Sequence, residues 1–298
     1  MDIRVLEYFL AVAREESITA AADYLHMTQP PLSRQLKELE DELGKKLFVR
    51  GNRRITLTED GMLLRRRAEE ILELVRKTKE EVSSSAEDIS GDIYIGAAEV
   101  ESFRTVAKTM VKMRKMYPAV KFHVTSGNAE DIMEKLDGGL YDFALFVDPV
   151  QNLNKYNYIR FPQRERWGLL TKSDNPLCEK GYVEPGDLEK EVLMMTSQRM
   201  FDSVLAGWYG TDLSGLTFAG HFNLVYNEAI AIEEGLGSAL TLDRLITEKN
   251  NPNLRFLPLY PEISEGIDFA WKKYRTFSRA AGKFLEMLGE EIKLEREK

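Results

Sequence analysis

Thr28, Gln29, Pro30, Ser33, Arg34 and Lys37 lie within ten consecutive residues and bring together hydroxyls, an amide and two cations. An amide or a guanidinium can bridge two hydrogen-bonding atoms on the edge of a base, and hydroxyls and cations suit phosphate oxygens. A little further on, Arg50, Arg53 and Arg54 surround a Gly51-Asn52 turn. A basic turn of that kind would grip phosphates or enter a minor groove. Taken singly, Arg34 and Lys37 are what any solvated helix carries, and a basic hairpin is ordinary surface. Their significance depends on the elements that hold them.

Those elements are legible from spacing. Ile3, Leu6, Phe9, Leu10 and Ala13 recur at helical intervals and predict a helix over about residues 2 to 15. Ser17 is placed to cap a second helix, which Ala20, Ala21 and Ala22 keep slim enough for a neighbour to approach closely. His26 and Met27 form a turn, and Thr28 is the expected N-cap of a third helix with Pro30 and Pro31 in its first turn, where proline costs little. Leu32, Leu36, Leu39 and Leu43 then make one narrow apolar stripe that is expected to face a core. Pro30, Ser33, Arg34 and Lys37 fall on the other side, with Gln29 at the exposed end. Gly44 closes the helix, Leu47 to Val49 form a strand, and Ile55 to Leu57 return. Helix, turn, helix and basic hairpin in this order can hold one helix in a major groove.

The bulk numbers bound the rest. The 298 residues are 43% hydrophobic and 30% charged, a globular composition with room for two or three units. The net charge is −8, yet residues 28 to 67 hold ten bases against six acids, so the basic excess sits where a nucleic-acid contact is expected. No apolar run approaches the ~20 residues that span a bilayer, and no membrane partner is expected. MDIRVLEYF lacks the basic and apolar regions of a secretory signal, and Cys178 stands alone, so a cytoplasmic location is expected. With one cysteine and with His26, His123 and His221 far apart, no zinc finger and no metal site is expected.

Phe9, Ser17, Ala21-Ala22, Leu25, Thr28-Gln29-Pro30, Leu32-Ser33, Leu36, Leu39-Glu40, Leu43-Gly44, Leu47-Phe48, Arg50, Arg53-Arg54, Leu57-Thr58 and Gly61 form an ungapped pattern. It resembles the N-terminal domain of LysR-type transcriptional regulators. The resemblance implies an α/β protein with an N-terminal winged helix-turn-helix over 1–58. A linker or dimerisation helix and hinge would cover 59–90, and an effector-binding domain 91–298. The latter would be built like a periplasmic binding protein from two α/β subdomains, 91–162 plus 268–298 and 163–267.

Thr58 can cap a long helix in which Leu64, Ala68, Ile71, Val75, Thr78 and Val82 recur at heptad spacing. Either this seam packs on its own domain or it pairs with a second copy. The resemblance implies pairing, as a homodimer or homotetramer. Ser83 to Gly91 breaks the pattern and is expected to be a hinge.

From Asp92 onward strands and helices alternate. Strands are expected at 92–96, 120–124, 143–147, 167–171, 192–196, 238–242, 254–259 and 267–272. Helices are expected at 102–117, 129–137, 203–209, 224–234 and 278–293. Ligand sites in such sheets form at the carboxyl ends of strands beside helix N-termini. Ala98, Glu99 and Ser102 follow one strand, Thr125, Ser126 and Asn128 a second, and Thr196, Ser197 and Arg199 a third, while Asn223 precedes a helix. A small hydroxyl at a helix start is usually just a cap. Phe146, Phe201 and Tyr226 could supply apolar wall, with core packing as the alternative. Arg199 and the helix-start amides would suit an anionic group on a small-molecule effector. Gly235 to Leu240 is similar to the family's glycine-containing turn into a strand.

No GxGxxG after a strand, GxxxxGK[ST], GxSxG or HExxH occurs, and Glu99, Asp142 and Asp148 are isolated carboxylates. An enzyme is therefore not expected, nor a catalytic residue or a cofactor. Two binding functions remain: a regulator that binds double-stranded DNA and answers to an effector, or a cytosolic solute-binding-like protein without DNA affinity.

Overall fold

The computed structural model describes residues 1–51, 54–83, 89–147, 154–196, 199–210 and 212–297. The chain divides into two compact units, Met1–Ser85 and Ala86–Lys298.

In the first unit, α1 (Ile3–Glu15), α2 (Ile18–Tyr24) and α3 (Gln29–Leu43) precede β1 (Phe48–Arg50), β2 (Ile55–Leu57) and α4 (Glu59–Ser83). Ser17 caps α2 by accepting from the Ala20 amide at 3.3 Å. Ala21 and Ala22 are fully enclosed against α1 and α3. His26 takes a left-handed conformation (φ 52°) in the turn between α2 and α3. Thr28 occupies the N-cap position of α3 in extended backbone, but its side chain makes no capping bond. Leu32, Leu36 and Leu39 are buried in the head's core with Phe9 and Leu47, whereas Leu43, at the last turn, is 41% exposed and leaves the stripe. β1 and β2 pair antiparallel as the wing.

The wing is fastened to α4 through Thr58. Its hydroxyl donates to the Lys46 carbonyl at 2.7 Å and accepts from the Gly61 amide at 2.9 Å, and its own amide donates to the Leu47 carbonyl at 3.0 Å. Gly61 has no room for a side chain: a Cβ there would lie 2.1 Å from the Leu47 carbonyl oxygen. Ala68 is wholly buried in the head's core, with Leu64 and Ile71 packed against it. The first half of the expected heptad seam is therefore spent on its own domain, because α4 lies along α1. The apolar side chains that α4 leaves exposed are Met62, Leu63, Leu74 and Val82. Val75 is half-buried, and Thr78 is exposed with its hydroxyl donating to the Leu74 carbonyl. Most of the expected hinge, residues 84–88, lies outside the described residues.

The second unit is one nine-stranded sheet flanked by helices. In chain order it contains β3 (Gly91–Ala97), α5 (Phe103–Met116), β4 (Val120–Ser126), α6 (Ala129–Asp137), β5 (Phe143–Val147), β6 (Tyr156–Lys172), α7 (Leu177–Lys180), β7 (Val192–Thr196), α8 (Arg199–Tyr209), β8 (Thr217–Phe222), α9 (Val225–Glu233), β9 (Ser238–Leu242), β10 (Leu254–Pro258), β11 (Ser264–Lys272) and α10 (Arg279–Arg296). The strand order is β4-β3-β5-β11-β6-β9-β7-β8, with β10 also on β6. β3, β4 and β5 are parallel in one half, and β7, β8 and β9 in the other.

One strand joins the halves. β6 pairs with β11 from Tyr156 to Arg166, then with β9 and β10 from Trp167 to Lys172. The sequence predicts only its second part, because YNYIRFPQRER does not alternate cleanly and contains Pro162. That proline falls at a bulge, where the ladder skips from Arg160 to Arg164 and no amide is required. β8 was not expected either: it is an edge strand with alternating exposure and a glycine. No helix among the described residues is long and apolar enough to cross a membrane.

Candidate functional site

Two sites follow from this architecture. The first is the outer face of the head. Thr28, Gln29, Pro30, Arg34 and Lys37 are exposed along α3, and Ser33 is half-buried. The apolar stripe on the opposite side of the helix fixes this orientation. Among the described residues Arg34 makes only a long contact with Glu38, 3.9 Å, with 71% of its side chain exposed, so it is available to a partner. Arg54 reaches Glu16 at 3.3 Å, again an exposed pair that a phosphate could displace. Arg53 and the side chain of Arg50 lie outside the described residues.

Glu40 anchors the wing from inside. Its carboxylate accepts from the Leu47 amide at 2.8 Å and from Lys46 Nζ at 2.7 Å. Burial would raise its pKa, but the Lys46 ammonium and the amides of Leu47 and Phe48 outweigh that and hold it below the usual glutamate range. The pair sets the wing beside the exposed flank of α3.

The second site lies in the sheet unit, where the two halves face each other. Two adjoining cavities, about 270 and 30 Å³, share Glu99, Val225 and Leu245 in their walls. Of the expected residues, Ala98, Glu99 and Ser126 line the larger cavity, Thr196 and Asn223 the smaller one, and Tyr226 joins the larger as expected wall.

Four expected residues are elsewhere. Ser102 is buried and does not cap α5: its amide and hydroxyl both donate to Glu165 Oε1, at 2.9 and 2.6 Å. Asn128 is occupied as the cap of α6, accepting from the Asp131 amide at 2.8 Å. Thr125 is exposed on the edge strand β4 and lines neither cavity. Phe146 is core, enclosed with Tyr94, Ile132 and Tyr141 on the face covered by α6. Ser197 and the side chains of Arg199 and Phe201 lie outside the described residues.

Val100, Phe103, Leu245 and Ile246 make apolar walls that the sequence reading missed. Leu245 and Ile246 follow β9, so applying the strand-end rule to that strand as well would have found them.

A carboxylate–guanidinium chain runs beside the cleft. Glu165, fully buried on β6, also accepts from Arg244 Nη2 at 2.6 Å. Arg244 Nε lies 3.4 Å from Asp243, which in turn accepts from the Arg166 amide at 3.1 Å and from its Nε at 3.0 Å. Glu165 thus ties Ser102, ahead of α5, to Arg244, beyond β9. Among the described residues no His, Cys, Asp and Glu cluster could hold a metal ion.

Known proteins share this organisation. Residues 3–62 match the family model for bacterial regulatory helix-turn-helix proteins of the lysR family, and residues 86–293 match the LysR substrate-binding domain. The HTH-type transcriptional regulator BsdA of Bacillus subtilis is 36% identical over 164 residues, 55% of each chain, so that match spans about half of the relative. The hydrogen peroxide-inducible genes activator of Pectobacterium carotovorum is 27% identical over 98% of this chain and 96% of its own. Among solved structures, full-length CbnR complexed with its target DNA superposes with a TM-score of 0.73 at 20% identity, covering 98% of this chain and 100% of that one. The two matched segments together leave only short stretches of the chain unassigned, and the chain belongs to the LysR family of bacterial helix-turn-helix regulatory proteins.

Proposed function

We propose that this regulator reads duplex DNA with the exposed flank of α3, Thr28 to Lys37, and grips flanking phosphates with the wing arginines Arg50, Arg53 and Arg54. The observation that carries this is the orientation of α3: Leu32, Leu36 and Leu39 are buried while Gln29, Arg34 and Lys37 face outward beside the wing. In this assignment 1–58 is the head, 59–90 the linker, and 91–162 with 268–298 and 163–267 the two subdomains around the cleft. The change of partners along β6 between Arg166 and Trp167 supports that division.

A small-molecule effector binds between the subdomains, and it biases the assembly by binding one arrangement better than another. Two copies pair through the outer face of α4, with Leu63, Leu74, Thr78 and Val82 as the contact in place of Leu64, Ala68 and Ile71. The protein acts in the cytoplasm, where its DNA is. These 298 residues hold one cysteine, so no internal disulfide forms among them. Burial pushes the Cys178 thiol up, which disfavours the reactive thiolate.

The test is genomic footprinting with the purified protein, then gel shifts on the recovered site. Arg34→Ala should cost about 1–3 kcal/mol at the specific site, and Arg54→Ala should reduce the salt slope by about 1. Unchanged affinity and slope in both variants would overturn the assignment of this face.

A further inference from the structure

The two cavities of the sheet unit meet at one hydrogen bond. Glu99 follows β3, and its Oε2 accepts from the amide of Val225, the first residue of α9, at 3.1 Å. Leu224, at the N-cap position, provides no capping side chain. Glu99 therefore caps α9 from across the cleft and takes the place an anionic ligand would occupy at a helix N-terminus. Among the described residues its Oε1 accepts no hydrogen bond. Val100, Phe103, Val124, Leu245 and Ile246 make the larger cavity mostly apolar. Glu99 is the one charged side chain among the described residues lining either cavity.

Resting on the assignment of this cleft to the effector, we propose that the effector is a small amine with an apolar body, and that Glu99 is its counter-charge. A ligand carboxylate would bring a second negative charge beside Glu99, and like charges at contact distance repel. An ammonium would instead donate to Glu99 Oε1 in a charge-assisted bond while its body meets the apolar walls. The larger cavity, about 270 Å³ against the ~150 Å³ that admits benzene, fits one ring and a short amine-bearing tail.

The test is calorimetry on the full chain with three probes of one skeleton: phenethylamine, phenylacetamide and phenylacetate. The wild type should bind the amine at least about tenfold more tightly than the acid, with the neutral amide between. Glu99→Gln should abolish that preference, and Glu99→Asp should keep it. Ser126→Trp, at the exposed rim, should weaken whichever probe binds. Phenylacetate binding as tightly as the amine, a preference unchanged in Glu99→Gln, or no detectable amine binding overturns the proposal. If the acid binds and Ser126→Trp abolishes it, the cleft stands as the effector site and the amine assignment alone falls. Binding that Ser126→Trp leaves untouched removes the cleft assignment itself.

Discussion

Glu165→Ala should loosen the sheet unit more than any surface change. The carboxylate is fully buried and accepts three hydrogen bonds, from the Ser102 amide and hydroxyl and from Arg244. Removing it strands a buried amide, at about 1–3 kcal/mol. The lost side-chain volume adds about 1 kcal/mol. The broken ion pair adds little more, because Arg244 is 44% exposed and keeps Asp243 as a partner. The total is about 2–4 kcal/mol, which at roughly 2–4 °C per kcal/mol for a unit of this size lowers Tm by about 4–16 °C. Trp167, Trp208 and Trp271, the three tryptophans of the chain, all belong to this unit, so tryptophan fluorescence reports its melting separately from the head. Glu165→Gln keeps the volume and one acceptor and should fall between. A shift under about 2 °C in Glu165→Ala would show that Ser102 and Arg244 find other partners and that the carboxylate does not hold the halves together.

Gly61→Ala should destabilise the head by at least about 1–3 kcal/mol, since the new methyl would press on the Leu47 carbonyl; urea unfolding followed by far-ultraviolet circular dichroism checks it. Glu228 is buried on α9, its Oε1 has no hydrogen-bond partner among the described residues, and burial raises its pKa. A carboxyl raised in the folded state lowers stability as pH climbs through its folded pKa. Glu228→Gln should therefore raise Tm at about pH 7.5 and give no gain near pH 4. Glu40 has the opposite sign: its depressed pKa contributes stability above the ordinary glutamate range, and that contribution fades as pH falls below it. Glu40→Gln should flatten the acid limb of the head's melting curve, measured by circular dichroism on the full chain.

The head was readable because its signals are local. A four-three spacing of leucines, prolines at one helix start and a glycine at its end each constrain only a few residues, and together they orient α3. What the sequence concealed depends on distant partners. Leu64, Ala68 and Ile71 have the spacing of an intermolecular seam, but α1 covers them first, and only the packing of α1 on α4 reveals that. Ser102 has the type and position of a helix cap, yet a carboxylate sixty-three positions along the chain claims it. Glu99 looked like an isolated acid because its partner is a backbone amide on a helix far downstream. Hydrogen bonds of this kind leave no periodicity, so residue type alone assigns them to surface or cap.

The fastening of Thr58 to both wing and linker makes α4 a measuring rod. Its 25 residues, at about 1.5 Å each, span about 37 Å, close to one turn of duplex at about 34 Å. In a pair of chains joined along this helix, the register of contact fixes how far apart the two heads sit. Inserting a heptad beyond Ile71 would lengthen the rod by about 10 Å with the pairing face nearly preserved, and so select operators with more widely separated half-sites.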